Sequence, residues 1–261
     1  MTKTAATAKK PVQSAKFPPW SPVVAIAVVI ATYFLGSLIG ELLPVFYALL
    51  VGYDVNGALA WLSSSTTART VQVVIFYGSM IGLLYLFAKR HGVSFRQFGL
   101  VRPRLRDAGI SLLAIVPYIA GYAVLLSAVL ALFPELNTEQ EQQLGFDPGR
   151  DPLALVLTFI SLVVLPPLAE ELTMRGFLFT SLAARMKVFW ATLITSVVFA
   201  AAHLQFGSDA PLLWVAAIDT FVLSLILCYL RYKTGSLWAG IFLHALKNGV
   251  AFMALFVFAA H

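Results

Sequence analysis

The chain has 261 residues, 60% of them hydrophobic and 11% charged, with a formal net charge of +6 and a mean hydropathy of +0.86. A soluble domain carries about a quarter charged residues, so a soluble enzyme is excluded. The positive charge then belongs to loops flanking a membrane rather than to a nucleic-acid surface. What remains is an all-α, polytopic transmembrane helical bundle, built as one domain because no soluble block is long enough to bury its own core.

Residues 1–20 are polar, with Lys3, Lys9, Lys10 and Lys16 followed by Pro18-Pro19. They read as a disordered cytoplasmic tail. No short apolar core with a small-residue cleavage site is visible there, so a cleaved signal peptide is not expected. Residues 21–261 form the integral-membrane domain. The first span covers about 22–51 and carries Gly36 and Gly40, small residues four apart that let another helix approach closely. A polar stretch, 52–69, leads to the second span at about 70–88, where Gly78 and Gly82 repeat that spacing. Next comes a basic loop with Lys89, Arg90, Arg96, Arg102, Arg104 and Arg106, suited to anionic headgroups. The third span, about 108–133, contains Pro117, which predicts a kink.

After an acidic, turn-rich loop at 134–152, the fourth apolar region starts near 153 and continues through Glu170 and Glu171 to Arg185. Pro166-Pro167 predicts a break, with a half-helix starting near 167 and its N-terminal dipole favouring the two carboxylates. The fifth span is about 188–205, the sixth about 212–230 and the seventh about 235–259; a further re-entrant segment would make eight. With the N-terminus inside, fifteen of the 18 Lys and Arg lie on inner segments, and Arg69 and Arg150 lie on outer ones. This asymmetry predicts an N-in, C-out topology. The single cysteine, Cys228, lies in an apolar run and reads as packing.

Charged groups inside a membrane are costly unless they are paired or form a site. Counted from the inner charges at about 1.5 Å per residue, Glu170 lies about 22 Å deep, His203 about 24 Å, His244 about 16 Å, Asn248 about 22 Å and Asp219 about 18 Å. All five therefore share one slab of a core about 30 Å thick. Glu171 and Arg175 are four apart and can pair. Phe199 and His203 repeat the spacing on the fifth span, and His244 and Asn248 on the seventh. Lys247 points about 100° away from Asn248 and is expected to snorkel to an interface.

A carboxylate beside a histidine can position and deprotonate a water. Asn and His donors on another helix can stabilise an oxyanion. No serine or cysteine nucleophile stands at a recognisable spacing, so hydrolysis by activated water is the simplest reaction. Glu170, His203 and His244 would alternatively make a two-His-one-carboxylate zinc site, although no single helix carries HExxH. Asp219 is placed behind a histidine or between helices. Two non-enzymatic classes compete: a scaffold that uses these residues as interhelical contacts, and a transporter, for which no inverted repeat is visible.

Glu170-Glu171-x-x-x-Arg175-Gly176, then Phe199-x-x-x-His203, then His244-x-x-x-Asn248 resembles the CPBP family of intramembrane proteases. That family includes type II CAAX prenyl endopeptidases and bacteriocin-processing or self-immunity proteins. The resemblance covers about 153–250, the catalytic core. It implies Glu170 as the water-activating base aided by His203, His244 and Asn248 as the oxyanion pair, and Glu171 with Arg175 as the supporting pair. Phe199 and Asp219 are further supporting candidates. The family was first taken for metalloproteases and is now described as glutamate-type, which implies no cofactor here, with zinc as the alternative. The implied partners are a peptide or lipidated protein substrate and membrane lipids. A non-catalytic immunity protein on the same fold is the competing implication. The compact form suggests the plasma membrane of a prokaryote.

Overall fold

The computed structural model describes residues 17–140, 144–147, 149, 151–205 and 211–258. Among these, all regular structure is helical. Six helices are long and apolar enough to cross a membrane: α1 (Pro22–Leu50), α3 (Thr66–Arg90), α4 (Leu105–Leu132), α5 (Pro152–Ala183), α7 (Trp214–Thr234) and α8 (Trp238–Phe258). Two shorter ones are α2 (Val55–Ser64) and α6 (Val188–Ala201). The chain is an integral membrane protein with an all-α polytopic fold.

Local chemistry sets most helix starts. Ser21, Asp54, Ser65 and Asp151 each cap a helix by accepting from the backbone N–H three residues on. Pro22 and Pro152 occupy first-turn positions, where a missing N–H costs nothing. Lys89 and Arg90 close α3, and Gly235 ends α7 in the left-handed conformation with φ +68°.

Three expectations change. The stretch 52–69, expected only as a polar connection between spans, is mostly α2, because Asp54 caps it and Ala58 and Leu62, four apart, are buried. The expected fifth span is the 14-residue α6, about 21 Å long and so short of a full hydrocarbon core. It ends at Ala201, leaving His203 in the turn that follows. Finally, Pro166-Pro167 widens the fourth span without splitting it. α5 runs through the prolines because a π-helical turn, Ile160–Val164, precedes them and absorbs the lost hydrogen bonds. Glu170 and Glu171 therefore sit in the interior of a helix, and the half-helix dipole argument does not apply to them.

A second π-helical stretch, Leu172–Phe179, follows the glutamates and is buried throughout. Gly36 and Gly40 do seat α1 on α3: a Cβ at Gly40 would lie 3.0 Å from the Phe76 Cβ, and one at Gly36 3.2 Å from the Phe76 carbonyl oxygen. Gly78 and Gly82 meet nothing within 4 Å and form no such face among the described residues. The expected tail lies mostly outside the described residues, at 1–16, but its last part is docked. Trp20 is buried, donates to the Ser181 hydroxyl at 2.8 Å and stacks on Phe177 at 5.1 Å. Cys228 is buried and free. The outward faces of the long helices are apolar and exposed, as at Val23, Leu113 and Val124, which suits contact with lipid.

Candidate active site

Three elements converge: the middle of α5, the end of α6 with its following turn, and one face of α8. Gly240, His244 and Asn248 lie at four-residue intervals on α8, so they form a single stripe. That stripe faces α5. Gly240 brings the α8 backbone so close that an added Cβ would lie 2.9 Å from Glu171 Oε2.

Glu171 is fully buried and pairs with the fully buried Arg175, with Nη1 to Oε1 at 2.9 Å. The same oxygen accepts from His244 Nδ1 at 3.2 Å. The Arg175 guanidinium lies over the Phe199 ring, 4.3 Å from its centroid. Phe199 also meets both histidines edge-on, with ring centroids 4.7 Å from His203 and 5.9 Å from His244. It is thus the apolar wedge that spaces the polar groups. Glu171, Arg175 and Phe199 fix a frame that orients His244.

Glu170 points elsewhere. Its Oε1 accepts from the Tyr77 hydroxyl at 2.9 Å, while Oε2 is buried with no hydrogen bond and lies 3.8 Å from His244 Nε2. That gap is too long for a hydrogen bond, but both atoms can touch one water-sized molecule. His203 Nδ1 donates to the Phe199 carbonyl at 2.8 Å. The carbonyl can only accept, so Nδ1 carries the proton and Nε2 keeps its lone pair.

A chamber of about 610 Å³ is lined by Glu170, His203, His244, Lys247 and Asn248 among others. A smaller chamber of about 230 Å³ has mostly apolar walls, including Val29, Phe76, Met80 and Met174. Tyr77, Glu170 and His203 line both, so the two chambers meet at those residues. A surface groove of about 770 Å³ lies apart from them, lined by Arg96, Arg102 and Arg104 of the basic loop. It contains none of the site residues.

The structure therefore brings Glu170, His203, His244 and Asn248 to one cavity. Of the two places expected for Asp219 it takes the one between helices, and Lys247 sits differently from expectation. Asp219 faces Tyr118, whose hydroxyl donates to it, and Lys247, whose Nζ is 2.9 Å away. It does not back a histidine, because the Lys247 ammonium offers it a full counter-charge across the α7–α8 contact. For the same reason Lys247 does not snorkel to an interface. Asn248 donates Nδ2 to the Leu162 carbonyl at 2.9 Å, which leaves its second amide hydrogen to the cavity. Sequence reasoning missed Tyr77 and Gly240. A tyrosine in an apolar span of a chain with 13% aromatics carries no signal of its own, whereas Gly240, four before His244, could have been noticed.

Among the described residues no group of three His, Cys, Asp or Glu is disposed to hold a metal ion. His244 Nδ1 is already engaged by Glu171.

The membrane bundle thus gathers Glu170, His203, His244 and Asn248 around one internal chamber, with Glu171 behind them. Residues 152–250 match the family described as Rce1-like, type II CAAX prenyl endopeptidase. That segment runs from the start of α5 into α8 and holds every site residue expected from the sequence. Over that segment, less than half of the chain, the protein is similar to the type II CAAX prenyl endopeptidases. No curated protein and no solved structure matches it.

Proposed function

We propose that the protein hydrolyses peptide bonds near the C-terminus of lipidated or membrane-bound substrates, using water activated by Glu170 and His203 and no metal. The observation that carries this reading is the buried Oε2 of Glu170, which has no hydrogen bond and lies 3.8 Å from His244 Nε2, on a residue that lines both chambers together with His203. Such an oxygen can take a proton from water as the water oxygen attacks the scissile carbonyl. His203 Nε2, with its lone pair, orients that water. The second amide hydrogen of Asn248 faces the oxyanion, and His244 joins it when Nε2 is protonated. Collapse breaks the C–N bond, and the proton held by Glu170 passes to the departing amine. A carboxyl on one peptide and an amine on the other result.

The larger chamber, which is polar where Lys247 and Asn248 line it, suits peptide. The membrane setting suits substrates anchored by a lipid or a helix. The distribution of Lys and Arg supports an N-terminus on the inner side of that membrane.

The test is cleavage of a fluorescence-quenched farnesylated peptide, and of its unprenylated twin, by protein in lipid nanodiscs. Wild type should cleave. Glu170→Ala and His203→Ala should lose at least about 100-fold of that activity with unchanged melting. Incubation with 1,10-phenanthroline should leave the rate unaltered. Cleavage that survives Glu170→Ala overturns the glutamate reading, and loss to the chelator that zinc restores would reinstate the metal one.

A further inference from the structure

Tyr77 lies on α3, outside the segment 152–250 that carries the family match, and yet it touches the centre of the site. Its hydroxyl donates to Glu170 Oε1 at 2.9 Å. It lines both chambers, as Glu170 and His203 do. A carboxylate has two chemically equivalent oxygens, and free rotation would present either to the chamber. The Tyr77 bond makes them unequal: Oε1 is tied down and Oε2 is left without a partner beside His244 Nε2.

The position of Tyr77 is itself prepared by packing. Its ring contacts Phe76, with centroids 4.6 Å apart, and Phe76 packs edge-on against Tyr33 of α1 at 5.6 Å. Gly36 and Gly40 admit α3 to α1 at Phe76, where an added Cβ would press within 3.2 Å of the Phe76 carbonyl oxygen or 3.0 Å of its Cβ. The hydroxyl thus rests on a stiff aromatic stem held by two membrane helices. A buried tyrosine requires some hydrogen-bond partner.

Building on the glutamate-based reading above, we propose that Tyr77 is a positioning residue for Glu170: it holds Oε1 so that Oε2 alone faces the reacting water. The reaction centre then depends on α3 as well as on the matched segment, and a fragment limited to residues 152–250 would lack one of its determinants.

Infrared spectroscopy of the full-length protein in nanodiscs tests this without any substrate. The carboxyl and carboxylate stretching bands of Glu170 are those missing from Glu170→Gln. In Tyr77→Phe these bands should shift, while Tyr85→Phe, an exposed position on the same helix, leaves them in place. On the farnesylated peptide, Tyr77→Phe should lower kcat about tenfold or more with KM within about twofold. Unmoved Glu170 bands in Tyr77→Phe overturn the proposal, as does an unchanged kcat in a cleaving enzyme. If the bands shift but wild type is as inert as Glu170→Gln, the positioning bond stands and it is the hydrolase reading that fails.

Discussion

Asn248 donates its amide to the Leu162 carbonyl at 2.9 Å, across two helices and 86 residues of sequence. Leu162 is the residue whose carbonyl the helix cannot use. Its α-helical donor would be residue 166 and its π-helical donor residue 167, and both are proline. The asparagine therefore satisfies the acceptor that the proline pair orphans, and in doing so it fixes its own orientation toward the chamber.

Removing that donor should cost stability as well as rate. Asn248→Ala removes the partner of the half-buried Leu162 carbonyl, a loss of about 0.5–1.5 kcal/mol. In a Pro166→Ala background the backbone N–H returns, and the same Asn248→Ala change should then destabilise less. A double-mutant cycle on thermal melting in detergent measures the coupling. Cleavage should fall in both Asn248→Ala proteins, because the oxyanion donor is lost whichever group serves Leu162.

Arg175 is fully buried and answers Glu171 while resting on Phe199. Arg175→Met should cost about 3–5 kcal/mol, since it strands a buried carboxylate. Adding Glu171→Gln should recover much of that loss. Arg175→Lys should behave more like Met than like Arg, because an ammonium cannot both reach Glu171 Oε1 and lie flat on the Phe199 ring. Melting midpoints of the four proteins decide the ranking.

The polar pattern made the class and much of the site readable. Long apolar runs place the helix ends, and the long helices start and stop within four residues of the expected spans. The Glu171–Arg175 pairing follows from a four-residue spacing on one helix, which periodicity exposes directly. What stayed hidden depends on contacts between helices. Tyr77 reaches Glu170 only through the packing of α1, α3 and α5, and Asp219 finds Lys247 rather than a histidine only once α7 and α8 are set side by side. The proline pair was read as a break because the i to i−4 rule penalises it. A π turn evades that rule by widening the ladder, and local sequence does not reveal such a turn.

Asp219 and Lys247 form an ion pair beside the chamber, so their removal should register in stability before catalysis. Asp219→Asn and Lys247→Met should each lower the melting midpoint, and the double variant should be less destabilised than the sum of the two. The kcat of Asp219→Asn should stay within about threefold of wild type, far short of the loss expected for a carboxylate that orients a catalytic histidine. A larger fall in kcat without a change in melting would place Asp219 in the reaction after all.

Two glycines on α8 should respond in opposite ways to the same methyl group. At Gly240 the new Cβ would stand 2.9 Å from Glu171 Oε2, closer than side-chain atoms tolerate, and that oxygen belongs to the carboxylate that holds both Arg175 and His244. Gly240→Ala must therefore push Glu171, and through it the imidazole of His244, away from Glu170. Overpacking of this kind costs about 1–3 kcal/mol, and cleavage should fall at least about tenfold because a shift of even a fraction of an ångström separates reacting groups. At Gly249 the Cβ would meet Val163 Cγ1 at 3.7 Å, an ordinary contact. Gly249→Ala should leave cleavage intact and raise stability by up to about 1 kcal/mol, since alanine restricts the unfolded chain and favours the helix. Melting and cleavage of the two variants side by side separate a general intolerance of α8 to substitution from a specific clash at the glutamate: equal losses at both positions would point to the former, and a loss confined to Gly240 to the latter.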